Sequence, residues 1–441
     1  MKNLRIIGCI VTSIVVSAAG CAAQSDSALV VSSDPELSAL AASLLPELAT
    51  RAGMELVSPV RLETRSRAEL VRYLEAKLDE ELPVEEARAI VEVYAFLGLV
   101  PADLDLRAVL LELYTEQVAG FYEPDSTALF VMDDQPRQQL QALLVHELVH
   151  AVQDQTADLD ALTDADLGND RATAAQAAIE GHATLVMFEY FLSEQAGAPV
   201  DLGQIEDFGA QMRPVLSAMN DQFPALAGAP RVVRESLLFP YVDGASYVQR
   251  LWRGGERIAP FGDHLPQSTE QVLVSGAAEP LTIRLDTDEA TKVHEDVLGR
   301  LELGIFLEDV AALPATGPGS AAAIADAWDG DKYVLAVAAD GLTGLALVVV
   351  WSDATARDGF MSALESSSGR LGGTLSLEPT EIDGRPGSIV RIGPGAFPVS
   401  ATITDQRGTG EGDAGEGGAG EVGAGDGGAG ERDVGASGSG R

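Results

Sequence analysis

The chain has 441 residues, 46% of them hydrophobic, enough to bury sizeable cores over two or three domains. A formal net charge of -39 excludes nucleic-acid binding, because a polyanion would meet like charge with no basic stripe to release its counterions. Only two cysteines are present, which excludes a disulfide framework, and the acidity itself reads as a solvated surface.

Lys2 and Arg5 precede an apolar run over residues 6–19, and SAAGC then ends at Cys21. This charged, apolar, small-residue order is that of a secretory signal, and the run is short for a membrane span, which favours its removal. SAAGC resembles the lipobox of bacterial lipoproteins, which implies lipidation of Cys21 and anchoring at the bacterial cell envelope, facing periplasm or exterior. Cleavage without lipidation is the other reading. Cys9 falls in the segment to be discarded, so no disulfide is possible in the mature chain.

Residues 34–113 show a helical pattern, with Ser66 ahead of Leu70, Val71, Leu74 and Leu78, and joints at Pro83 and Pro101. TEQVAGFYEPDSTALFVMDD predicts a short hairpin turning on Glu123, Pro124, Asp125 and Ser126. Helices are expected over 135–153 and 171–196, separated by an acidic loop, with more helices to about residue 274. One of these begins at Ser268, which has capping-box spacing to Gln271. From residue 280 the pattern predicts a helix over 293–307, strands over 333–339 and 345–351, a helix over 353–364, and two or three strands to 404. Beyond residue 405 the Gly/Ala/acidic composition has almost no large apolar side chain, and disorder is expected.

Two of the five histidines stand four apart in LLVHELVHAVQDQ, inside the predicted 135–153 helix. Positions i and i+4 share a helix face, so His146 and His150 can present nitrogens to one ion about 2.0–2.1 Å away. Glu147 lies beside them in the general-base position of the H-E-x-x-H arrangement, within reach of a water on the metal without competing for it. The hairpin just before this helix would offer an edge strand to an extended peptide. A catalytic zinc site needs a third protein ligand. In AAIEGHATLVMFEY the candidates Glu180 and His182 diverge by about 200° on a helix, and Glu180 is chosen because it borders the apolar stripe of Ile179, Ala183, Val186 and Tyr190. Gly181 would permit close approach to the histidine helix, or simply tight packing. His182 is a candidate for indirect support of a ligand, as is Asp154, which shares the face of His150 and could equally cap a loop. For the oxyanion donor, Tyr241 is the first choice, set by Pro240 at a loop-to-helix junction, with Tyr247 and His264 as alternatives.

HELVHAVQDQ followed by the Glu180-Gly181 helix resembles the thermolysin-like zinc peptidases, the gluzincins. It resembles more closely a bacterial group, often lipoproteins, with TEQVAGFY, HELVHAVQDQ, an E-G-x-A helix, FPYVDG and PQSTEQVL in this order. The likeness spans roughly residues 115–273 and extends loosely beyond. It implies that His146, His150 and Glu180 hold Zn2+ and that Glu147 is the base. It departs at His182, where relatives commonly carry an acid, and at Thr184, where thermolysin-like enzymes place an aspartate that buttresses a ligand.

The expected fold is therefore α+β: a mainly helical zincin-like catalytic domain with a small hairpin at 114–279, an N-terminal helical region at 22–113 and a small α+β domain at 280–405. The signal with its lipidated cysteine occupies 1–21 and the tail 406–441. The expected function is zinc-dependent endopeptidase-type hydrolysis of a peptide or protein substrate at the cell envelope. The alternative is a catalytically inactive zincin-like lipoprotein that binds a peptide, glycan or protein partner.

Overall fold

Short polar signals divide the first hundred residues. Strands β1 (Ile7–Ile10) and β2 (Val30–Ser32) precede helix α1 (Pro35–Ala52), which starts where the Asp34 carboxylate accepts from the N–H groups of Glu36 and Leu37 and stops at left-handed Gly53. Strand β3 (Val60–Arg65) follows, then α2 (Arg67–Glu81) opened by a Ser66–Glu69 capping box, α3 (Val84–Phe96), and α4 (Leu106–Gln117) capped by Asp105. Strand β3 corrects the expectation that residues 34–113 are helical throughout. VRLETR buries Val60 and Leu62 while exposing Arg61 and Glu63, a period of two. The computed structural model describes residues 7–10, 29–219, 223–288, 290–395 and 397–404; Cys21 with its lipidation and the tail at 406–441 lie outside them.

The predicted hairpin is β4 (Val118–Glu123) and β5 (Ala128–Met132), antiparallel and closed by a bond from the Thr127 N–H to the Pro124 carbonyl. It lies within a five-stranded sheet of order β1-β4-β5-β3-β2, where β3 runs parallel to β5 with Leu62 opposite Leu129. Both faces of the hairpin are covered. Val118, Phe121, Phe130 and Met132 enter one core, and Ala119, Tyr122, Leu129 and Val131 enter the other. Burial on two sides is why both strands read as unbroken apolar runs.

Helix α5 (Arg137–Ala157) leaves β5 and lies against β4. After the short α6 (Leu159–Leu162), α7 (Asn169–Ala196) runs 28 residues to a left-handed Gly197. Then come α8 (Phe208–Met219), α9 (Pro224–Gly228), α10 (Arg231–Trp252) and α11 (Thr269–Leu273), the last opened by Ser268, whose hydroxyl accepts from the Gln271 N–H. α7 and α10 pack together most closely where two glycines meet. A Cβ placed on Gly181 would lie 2.0 Å from the Gly244 carbonyl carbon, and one on Gly244 2.1 Å from the Ala177 oxygen. Gly181 thus serves a crossing with α10 rather than the expected approach to the histidine helix.

The rest of the chain adds β6 (Thr282–Asp286), β7 (Thr291–Asp296), α12 (Gly299–Asp309), α13 (Ala321–Ala325), β8 (Trp328–Val337), β9 (Thr343–Trp351), α14 (Ala354–Ser367), β10 (Leu375–Ile382), β11 (Arg385–Ile392) and β12 (Ser400–Thr404). Residues 293–296 close a strand, and the helix expected from 293 starts only at Gly299. The second sheet is antiparallel throughout, in the order β10-β11-β9-β8-β7, while β6 pairs with β12. Tyr333, Leu335, Leu347 and Trp351 of this sheet share a core with α2, α3 and α4; Val334, Val348 and Val350 face Ile283 and Leu285 of β6. The fold is α+β, as expected. No helix among the described residues is long and apolar enough to cross a membrane.

Candidate metal centre

The helical rise of α5 stacks His146 beneath His150, and α7 crosses close enough to bring Glu180 between them. His146 Nε2 lies 3.0 Å from His150 Nε2 and 3.1 Å from Glu180 Oε2, and the third side of the triangle, His150 Nε2 to Glu180 Oε2, is 3.3 Å. A tetrahedral ion with ligands about 2.0–2.1 Å away has ligand–ligand edges of about 3.3 Å, so the triangle has the size of one face of such a shell. All three residues are buried, and among the described residues this is the one group of three or more His, Cys, Asp or Glu donors close enough to share an ion.

The electrostatics point the same way. Glu180 Oε1 is buried without a hydrogen-bond partner, a costly state for a carboxylate unless a cation stands beside it. Burial opposes ionisation of Glu180, but the two imidazoles outweigh it and hold the carboxyl down at about 2. Burial pushes the His146 imidazole down; it opposes charge on His150 too, where Glu180, Glu147 and Gln153 prevail and raise it. Two imidazoles and one carboxylate suit zinc, and three protein ligands leave a fourth position for a reactant. Glu147 is fully buried and adjoins His146 on α5.

Support for the ligands comes from a residue that sequence reasoning passes over. Gln153 Oε1 is 2.8 Å from His150 Nδ1, and its Nε2 donates to the Ile179 carbonyl at 3.0 Å and lies 3.1 Å from His182 Nδ1. His182 Nε2 in turn is 3.1 Å from the Ala52 carbonyl at the end of α1. Burial depresses the His182 pKa to about 3, so this imidazole is neutral, and Trp252 and Phe261 meet its ring edge to face. His182 is thus joined to His150 through Gln153. Asp154 is not: its carboxylate accepts from the Tyr122 hydroxyl at 2.8 Å and from the Leu159 N–H at 3.1 Å, which makes it a loop cap. Gln153 sits three residues after His150, on the same helix face, and that spacing is its signal.

The oxyanion candidates separate. Tyr241 stands inside α10, not at a loop-to-helix junction, because the helix continues through Pro240. Its ring centroid is 6.2 Å from that of His146. His264 is exposed in a single 3-10 turn, and its carbonyl accepts from the Tyr247 hydroxyl at 2.6 Å, so neither residue meets the triangle. Tyr114 on α4 lies within electrostatic reach of the site: burial, then the charges of Glu81 and Glu180, push its hydroxyl pKa up. No protein-family model, curated protein or solved structure matches the chain.

Proposed function

We propose that the protein is a zinc-dependent endopeptidase of the bacterial cell envelope, exported by its N-terminal segment and anchored through Cys21. The observation that carries this reading is the pairing of a buried three-donor group, one ligand short of a tetrahedral shell, with a buried carboxylate beside His146. Zinc held by His146, His150 and Glu180 would supply Lewis acidity to a peptide carbonyl and make a water more acidic. Glu147 takes the proton of the attacking water and returns it to the leaving amine. Tyr241, whose ring neighbours His146, donates its hydroxyl to the carbonyl oxygen as negative charge develops there. Residues 7–10 belong to the expected signal segment, so its removal would bare the outer edge of β4 as a template for an extended substrate.

Elemental analysis and a peptide-library digest test the reading together. Wild type and Glu147→Gln are expected to hold one zinc each, with cleavage lower by about 10²–10⁴-fold in the variant, as for loss of a general base. Glu180→Ala is expected to lose the metal. Equal cleavage by wild type and Glu147→Gln would overturn the peptidase, and wild type that takes up no zinc after refilling would overturn the metal centre.

A further inference from the structure

We infer that Gln153 is the positioning residue for the ligand His150, and that His182, braced on the Ala52 carbonyl, holds Gln153 in the orientation this requires. The inference rests on the metal reading above and is independent of the peptidase chemistry.

Two backbone carbonyls, which can only accept, determine every proton in the chain of bonds. Ile179 O accepts at 3.0 Å, so the Gln153 atom facing it is the amide nitrogen and the oxygen faces His150. That oxygen accepts at 2.8 Å, so His150 carries a proton on Nδ1, which leaves Nε2, the atom facing His146 and Glu180, as the one to bind a metal. Ala52 O accepts at 3.1 Å, so His182 carries its proton on Nε2 and leaves Nδ1 as the acceptor for the second amide hydrogen of Gln153. Each group has one consistent role, and reversing the Gln153 amide would set its NH2 against the His150 Nδ1–H and its oxygen against Ile179 O. Gln153 and His182 are both fully buried, so water offers neither a replacement partner. The last turn of α1 is thereby coupled to the metal site through two side chains. An acid is not needed at position 182, because the amide of Gln153 requires an acceptor there and a neutral imidazole supplies one.

The test uses the full chain with zinc as the probe, its affinity read by chelator competition and its ligand field by the visible spectrum of the cobalt-substituted protein. Gln153→Met keeps the volume and removes both ends of the link. It is expected to weaken zinc by about 10- to 100-fold and to alter the cobalt spectrum, in line with the loss of an orienting partner behind a metal ligand. His182→Phe should weaken zinc as well, whereas His182→Asn, whose Oδ1 reaches the place of Nδ1, should restore most of the affinity. Zinc bound within twofold of wild type by Gln153→Met, with an unchanged cobalt spectrum, would overturn the inference. Should Gln153→Met fail to fold, the His182 pair decides: equal affinity in both variants and wild type overturns it, and loss in Phe with recovery in Asn supports it. Wild type that binds no zinc would remove the metal reading itself, and the inference with it, a result distinct from the other failures.

Discussion

His146 and His150 are held unequally. His150 is tied through Gln153, but His146 Nδ1 and Thr184 Oγ1 are both buried without a hydrogen-bond partner. The orientation of His146 therefore depends on packing, and Tyr241 is the aromatic ring beside it. Under the proposed function Tyr241 would have two separable roles, one for its ring and one for its hydroxyl. Tyr241→Phe keeps the ring, so zinc content should be unchanged, while kcat on any cleaved peptide should fall by about 10²–10³-fold with little change in KM, as for removal of one oxyanion donor. His264→Ala, at an exposed side chain, should leave both constants as they are. An unchanged kcat in Tyr241→Phe would show that the ring alone matters.

At the scale of elements, the site depends on how closely α7 approaches α10. Alanine in place of glycine on an open helix stabilises by about 1 kcal/mol. At Gly181 the new methyl would sit 2.0 Å from the backbone of Gly244, which cannot move aside as a side chain could. The steric term wins: Gly181→Ala should lower stability by about 1–3 kcal/mol in urea unfolding and loosen zinc, because Glu180 is the adjoining residue. A variant more stable than wild type would show that the helices separate freely. The sequence announces that something comes close at Gly181 but not which helix it is, since a missing Cβ carries no address. The same divide runs through the rest of the fold. The His146–His150 spacing, the β4–β5 turn and the helical stripes are local patterns, and all are legible. Val60–Arg65 passes for part of a helical region because both its partner strands are distant in sequence, β2 on the far side of α1 and β5 beyond α4. Pro240 is a breaker by its local rule, yet α10 continues through it where its packing on α7 prevails. Gln153 and Asp154 both fit the face of His150, and only the Tyr122 hydroxyl, from the sheet beneath, shows which of them is occupied elsewhere.

For the whole molecule, the joint between the metal-site helices and the antiparallel sheet is built from buried acids. Asp170, at the start of the helix that carries Glu180, accepts from the N–H and hydroxyl of Thr269 on α11. Asp331 on β8 accepts from the N–H groups of Leu298 and Gly299 and from the Trp328 indole. Glu302 on α12 accepts from the Asn169 amide and from the Tyr94 hydroxyl. Burial, with Asp331 and Glu302 adding like charge and Thr269 partly offsetting it, pushes Asp170 up to about 7; burial likewise pushes Asp331 up to about 6. In the unfolded chain both ionise near pH 4. Between that pH and the raised values the folded state holds protons that the unfolded state has released, so these two groups make stability fall as pH rises and level off once both are ionised. Imidazoles freed by unfolding ionise within the same range, which is why the contribution of Asp170 must be read as a difference. Asp170→Asn keeps an acceptor for Thr269 and has no proton to lose. Its stability relative to wild type should improve steadily from pH 5 to about pH 7 and flatten by pH 8 in urea titrations of the two metal-free proteins. A difference independent of pH would mean that Asp170 is ionised throughout, and that this joint is held by its hydrogen bonds alone.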